Sequence, residues 1–484
     1  LPGSKARRWK NQATKKLAWF HRWLGVATCL VFTLWFASGA VMLFKPFPSL
    51  PRAEQFRLEA PIALDAVTIS PRAAAHAGAE PLLALRLVQR GAAPAYIATT
   101  ASKSIAIDAG SGKRLPDLTA DTAAASGRTT LGAATAPSPL FDYDQWIVHN
   151  HFDPLRPFYR LDANDDAGTS LYLSAKTGEF VQRTRFADRA WNWVGAVLHW
   201  AYFTPLRASF TAWDRTVWIL SFIALLVAIT GTILGVVRTV AAQRQRTPSL
   251  TFYRLRWMRW HHLLGLFASI FVLTWILSGW LSMDHGRLFS RGAPTAEQLA
   301  RYEGTRLADA LPTMKMAAIP AGTKQLDFTV VGGQLLATAW QSDGTALTLG
   351  ANGTRLSPAT IRDQIGNAAR AAFPGAPSFD IAPIDPTATY ALAEGWPASA
   401  VRVRLGAGLP DVYADGADGR LLTVMNDSRA SYAWIYYALH TFNFPGLTTR
   451  PLLRQTLVLI PLMLGFLFSI TGVVLGIQRL RKSV

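Results

Sequence analysis

The sequence predicts an integral membrane protein: an α-helical core of four transmembrane helices in two parallel repeats, plus two α+β domains outside the bilayer. Three observations predict it. Half of the 484 residues are apolar, and residues 24–44, 216–237, 263–283 and 455–477 hold no charged side chain. About 20 apolar residues cross a bilayer core as a helix. Positive charge gathers beside the ends of those runs. Finally, "LAWFHRWLGVATCLVFTLWFASGAVML", from Leu17, returns as "MRWHHLLGLFASIFVLTWILSGWLSM", from Met258.

The charge sets the order of the elements. Residues 1–23 form a basic terminus with Lys5, Arg7, Arg8, Lys10, Lys15, Lys16 and Arg22 and no acid. The first span is 24–44. Residues 45–212 follow as an external domain, closing in a short interfacial helix at 189–203. The second span is 213–237, and the connector 238–259 carries six arginines and again no acid. The third span is 260–283. A second external domain covers 284–454, with an interfacial helix at 431–442. The fourth span is 455–477, and the tail 478–484 adds Arg479, Arg481 and Lys482. Sixteen positive charges thus lie on one side, out of a formal net charge of +19. The positive-inside rule puts both termini and the connector in the cytoplasm, with the external domains in a bacterial periplasm and the chain in the inner membrane. Charge that flanks spans in a lipid bilayer excludes a nucleic-acid partner. The first span reads as a retained signal anchor, and "LPGS" as a cloning remnant. The single cysteine, Cys29, lies within that span, so no disulfide framework forms.

The duplication continues. "WNWVGAVLHWAYFTPL" (191–206) matches "YAWIYYALHTFNFPGL" (432–447), setting His199 on His440, and "ITGTILGVVR" (229–238) matches "ITGVVLGIQR" (470–479). "LYLSAKTGEF" and "DVYADGADGR" both read as strand–turn–strand hairpins, with Gly178 on Gly419. Helices are expected at "SPRAAAHA" and "SPATIRDQIGNAARAAF", capped by Ser70 and Ser357. Strands are expected at "LLALRLVQR", "AYIATT" and "SIAIDAGSGKRL", and a loop or linker at 125–140. Each half starts and ends on the same side, as parallel repeats about an axis along the membrane normal do.

Of nine histidines, four occupy matched positions. His21 and His261 stand at the cytoplasmic mouths of the first and third spans. His199 and His440 stand on the interfacial helices. An axis along the membrane normal brings each pair to one depth. A flat porphyrin held between two imidazoles needs that arrangement. His262 competes for the inner site and His285 for the outer one. Gly25 and Gly39 share a face with His21, as Gly265 and Gly279 do with His261, where a macrocycle or a neighbouring helix could approach. Gly231-x-x-x-Gly235 and Gly472-x-x-x-Gly476 read as helix-packing motifs. His149 and His151 form an isolated His-x-His, more simply a surface loop than a metal or substrate site. Arg207 and Arg160 could draw an anionic chelate, although a plain boundary charge is the simpler role. No glycine-rich dinucleotide motif follows a strand.

The blocks "FHRWLG…LWFASG", "DQW…FDPLRPFYR…LYLSAKTGEFV…RAWNWVGAVLHWAYFTPLR" and "ITGVVLG" resemble the PepSY-associated transmembrane proteins over nearly the whole chain. Within that family, the chain resembles the di-haem inner-membrane ferric-siderophore reductases. The resemblance implies PepSY-type external modules and two haem b groups on His21, His261, His199 and His440. It implies an oxidoreductase passing electrons to a periplasmic ferric siderophore or other acceptor. The donor would be a quinol or a cytoplasmic-side reductase. The alternative is a non-enzymatic membrane-anchored module that restrains a periplasmic protease or senses an envelope ligand.

Overall fold

Four runs of apolar residues become four long helices: α1 (Pro2–Phe44), α2 (Phe210–Arg244), α3 (Arg256–Ser282) and α4 (Pro451–Leu480). The computed structural model describes residues 2–78, 81–101, 103–132, 136–244, 250–251, 253–313, 318–406 and 408–482. Part of the basic connector, 245–249 and 252, therefore lies outside the described residues. Each long helix has the length and apolarity to cross a membrane: Gln12–Phe44, Phe210–Arg244, Arg256–Ser282 and Pro451–Leu480. With backbone groups bonded internally, such helices meet the demand that hydrocarbon places on a chain.

The chain divides into two compact units. The first holds residues 1–47, 190–289 and 431–484. In it α1 packs on α2 and α4, and α3 packs on α2 and α4, closing a four-helix ring. Its core includes Phe32, Phe36, Leu225, Val272, Trp275, Ile276, Val458 and Leu462. Small residues let the helices approach: a Cβ on Gly465 of α4 would come 2.4 Å from the Phe36 ring of α1.

The second unit holds residues 48–189 and 290–430. Its strands are β1 (Ala84–Arg90), β2 (Ala93–Thr99), β3 (Ser104–Asp108), β4 (Phe158–Asp162), β5 (Ser170–Ser174), β6 (Phe180–Thr184), β7 (Gln325–Val331), β8 (Gln334–Trp340), β9 (Ala346–Gly350), β10 (Asp380–Pro383), β11 (Ala400–Arg404), β12 (Asp411–Asp415) and β13 (Leu421–Met425). The two segments expected to form separate domains share one six-stranded sheet, in the order β3-β2-β1-β7-β8-β9. Its seam is the antiparallel pair β1–β7, with Leu85 opposite Phe328 and Leu87 opposite Leu326. An open strand edge exposes unpaired N–H and C=O groups, and each half supplies the strand that closes the other's edge. The sheets β4-β5-β6 and β10-β11-β12-β13 complete the unit.

Local signals produced the expected elements. Ser70 Oγ accepts from Ala73 N to start the helix Pro71–Ala77, and Ser357 does so for Pro358–Ala372. Both hairpin turns have their glycine in the left-handed region, Gly178 at φ 76° and Gly419 at φ 72°. The expected loop at 125–140 is corrected in its first part, because Thr119 caps a helix over Ala120–Leu131. An alanine-rich stretch with a hydroxyl cap favours helix despite its serine and threonine content.

Candidate functional site

The four matched histidines all lie in the helical unit. His21 is on α1 and His261 on α3. His199 follows a π-helical turn, Trp193–Val197, and His440 ends another, Trp434–His440. Such turns are uncommon and concentrate at functional sites. At Gly195 the backbone leaves helical angles (φ −96°, ψ −108°), and a Cβ there would meet Val41 of α1 at 3.0 Å. His21 and Ser38, which touches His199, are 17 residues apart on α1, so at 1.5 Å per residue they mark levels about 25 Å apart.

Each imidazole is fixed through Nδ1 by the helix beside it. His21 Nδ1 lies 3.2 Å from both Val227 O and Thr230 Oγ1 of α2. His261 Nδ1 lies 2.9 Å from Thr471 Oγ1 of α4. His199 Nδ1 is 3.1 Å from Ser38 Oγ of α1. His440 Nδ1 is 3.1 Å from Ser278 Oγ and 3.2 Å from Trp275 O of α3. Thr230 matches Thr471, and Ser38 matches Ser278, across the two halves of the sequence.

Proton bookkeeping fixes the tautomers of His21 and His440 and allows the same form for the other two rings. A carbonyl only accepts, so Nδ1 of His21 and of His440 carries the hydrogen. The hydroxyls have committed their own hydrogens to helix carbonyls: Thr230 to Leu226, Thr471 to Phe468, Ser38 to Trp35 and Ser278 to Trp275. Each hydroxyl can then accept from Nδ1–H. His21 and His440 keep the Nε2 lone pair available, and His199 and His261 do so when their hydroxyls accept. A second partner on the far nitrogen is how a metal-ligating histidine is held in orientation.

The rings of His199 and His440 meet edge-on, with centroids 6.3 Å apart and planes inclined by 62°. Two imidazoles bound to one metal on opposite sides, with bonds of about 2 Å, bring their ring centres to about 6 Å. The spacing fits that coordination. It is too wide for a direct hydrogen bond between the rings. The His261 ring stacks on Phe468 at 4.8 Å. Tyr436 stacks on His440 at 5.7 Å.

The glycines divide differently from expectation. Gly39 and Gly279 adjoin His199 and His440, where an added Cβ would stand 3.5 and 3.1 Å from Cε1. Gly231, expected as a packing glycine, seats His21: its Cβ would stand 2.7 Å from Cε1. Gly472 does the same for His261 at 3.6 Å. Gly25 has no described atom within 4 Å of a Cβ, and Gly265 meets Phe468 instead.

The other expected residues lie elsewhere. His262 is engaged on α2, with Nε2 3.0 Å from Gly235 O, because neighbours on a helix point about 100° apart. His285 binds Asp214 through Nδ1 at 2.7 Å. His149 and His151 stack on each other at 5.4 Å, and no cluster of three metal-ligating side chains occurs among the described residues. Arg207 is buried under Tyr202, Phe210 and Trp213, so it is no free surface charge. Arg160 is paired with Asp162 at 3.3 Å. Sequence reasoning missed the four hydroxyls, although Ser38, Ser278, Thr230 and Thr471 all stand inside the matched motifs.

The family model for the PepSY-associated TM region matches residues 18–479. The chain belongs to that family. No curated protein and no solved structure matches it. This PepSY-associated transmembrane chain is a multi-pass membrane protein with four apolar helices and α+β parts.

Proposed function

We propose that this chain is an inner-membrane oxidoreductase with two b-type haems, one held by His21 and His261 and the other by His199 and His440. It passes electrons across the membrane to a ferric chelate in the periplasm. The observation that carries the reading is the 6.3 Å separation of His199 and His440, with each Nδ1 already bonded. Bound haem iron supplies one-electron exchange without group transfer.

The chain's own residues do the rest. The serine and threonine hydroxyls hold the ring planes and keep Nε2 deprotonated. Gly231, Gly39, Gly279 and Gly472 make room for the imidazoles against the next helix. Without a Cys-x-x-Cys-His motif the attachment is non-covalent. The sixteen flanking positive charges support cytoplasmic termini and a periplasmic sheet unit. The matched histidines and hydroxyls support two parallel repeats. A hydrophilic ferric complex does not cross hydrocarbon, so the His199/His440 end is where it would be met. Hard oxygen donors release iron(II) far more readily than iron(III), so one electron frees the metal. The donor is a quinol or a cytoplasmic-side reductase.

Purified protein should be coloured, give two haems per chain as pyridine haemochrome, and, once reduced, be reoxidised by a ferric siderophore. A colourless preparation reconstituted without spectral change sinks the reading and favours a module that restrains a protease or senses a ligand.

A further inference from the structure

One feature of the helical unit has no counterpart in the other half of the chain. Trp218 and Phe222 of α2 and Trp280 of α3 form an aromatic shelf. Trp218 stacks with Phe222 at 5.8 Å, Trp218 meets Trp280 at 5.7 Å, and Phe222 meets Trp280 at 5.5 Å. His285 lies on Trp218 at 4.8 Å and donates from Nδ1 to Asp214 Oδ2 at 2.7 Å. The matched positions in the other half hold Leu459, Met463, Ala40, Lys45 and Gln455. Aromatic belts are common at membrane boundaries, so the shelf alone says little.

Three further observations bear on this one. The turn after α3 holds His285 between two non-glycine residues in the left-handed region, Asp284 at φ 46° and Arg287 at φ 60°. Strain of that kind collects where a side chain must be presented. The buried indole N–H of Trp280 finds no acceptor among the described residues, whereas buried tryptophans usually do. The rim opens to the surroundings of the helices, with Phe222 38% and Ile219 51% exposed.

We infer that this shelf binds a membrane quinol, held at its hydroxyl by the His285–Asp214 pair. Because Nδ1–H faces the carboxylate, His285 Nε2 is the acceptor for the quinol O–H. Trp280 N–H is the available donor for the oxygen of the quinone. Oxidation breaks two O–H bonds and releases two protons and two electrons. One proton goes to His285 Nε2, with Asp214 balancing the imidazolium, and the other to water at the boundary. The electrons would leave singly, in two successive steps, to a one-electron acceptor, which under the proposed function is the group that His199 and His440 would hold, and to that extent the inference rests on that reading.

The test uses the full chain in nanodiscs. Decylubiquinone should quench tryptophan fluorescence saturably, and His285→Ala or Trp280→Phe should weaken the binding at least tenfold. Trp191→Phe, a tryptophan off the shelf, should bind as the wild type does. This readout needs no haem, so it separates a failed quinol site from a failed haem reading. In haem-loaded protein, His285→Gln should slow reduction by decylubiquinol tenfold or more and leave reduction by dithionite unchanged. Quenching that rises linearly with quinone, or equal binding by His285→Ala and wild type, overturns the inference and leaves an ordinary aromatic belt.

Discussion

Arg86 stands directly opposite Asp327 where β1 pairs with β7. The two positions differ by 241, the same interval that separates His199 from His440. Leu85 faces Phe328 while Leu87 faces Leu326, so a two-fold relation passes between Arg86 and Asp327. One seam therefore joins segments made more than two hundred residues apart. Leu87 is fully buried there, and Leu87→Ala should cost about 2–5 kcal/mol. Limited proteolysis in rising urea should expose 48–189 and 290–430 at the same concentration. Cleavage of one segment while the other stays protected would contradict a shared sheet.

Gly231 and Gly235 lie one helical turn apart on α2 and should respond oppositely to alanine. A Cβ at 231 would stand 2.7 Å from His21 Cε1, whereas at 235 its nearest neighbour is Leu266 Cδ1 at 3.9 Å. Gly231→Ala should push the imidazole aside and remove one of the two proposed haems, and Gly235→Ala should leave both. Haem counting by pyridine haemochrome decides. Two haems retained in Gly231→Ala would count against His21 as a ligand.

Thr471 should tune one site and not the other. Its hydroxyl lies 2.9 Å from His261 Nδ1; accepting the Nδ1–H there would raise the basicity of Nε2 and favour the ferric state of an iron held by that ring. Thr471→Val keeps the shape and removes the acceptor. In a potentiometric titration one transition should move upward by tens of millivolts while the other stays in place. Two unmoved transitions would make Thr471 a packing residue only.

Asp418 should make the sheet unit more stable in acid. Burial, then the neighbouring Asp415, pushes its carboxyl up to about 7, while Arg420 N–H bonds Oδ1 at 2.9 Å. Below about pH 4 the group is protonated in both states and contributes its full share of stability. As pH rises the unfolded chain ionises first, so stability falls until about pH 7 and is then level. The whole difference is at most about 4 kcal/mol. Asp418→Asn should be near neutral at pH 4.5 and clearly stabilising at pH 8 in urea melts. Equal effects at both pH values would refute the assignment.

Orientation is open to labelling in a Cys29→Ala background. Ser111 in the sheet unit and Arg244 at the end of α2 are both exposed. An impermeant thiol reagent on intact spheroplasts should modify Ser111→Cys and spare Arg244→Cys. The reverse pattern would invert the topology.

The four spans and the four histidines were legible because duplication and apolar length are properties of the sequence itself. The Nδ1 partners were not. A serine or threonine that returns its hydrogen to its own helix is common in apolar helices, and only packing shows that Ser38 turns its free lone pairs toward His199. Gly231 looked like a packing glycine because an imidazole and a helix demand the same missing Cβ. The β1–β7 seam was hidden for another reason. An alternating strand accepts many partners, and nothing local to Leu85 or Leu87 names a strand 240 residues away. His285 and Asp214 met through tertiary structure alone, 71 residues apart.

The seam also sets a problem of timing during synthesis. At about 5–20 residues per second, β1 leaves the ribosome tens of seconds before β7 exists. Throughout that interval it is an open edge. Two β1 strands joined in the same register would set Arg86 against Arg86, and two β7 strands would set Asp327 against Asp327. Like charges directly opposite are repelled. Exchange of sign across the two-fold thus favours the β1–β7 pair over either strand joined to its own twin.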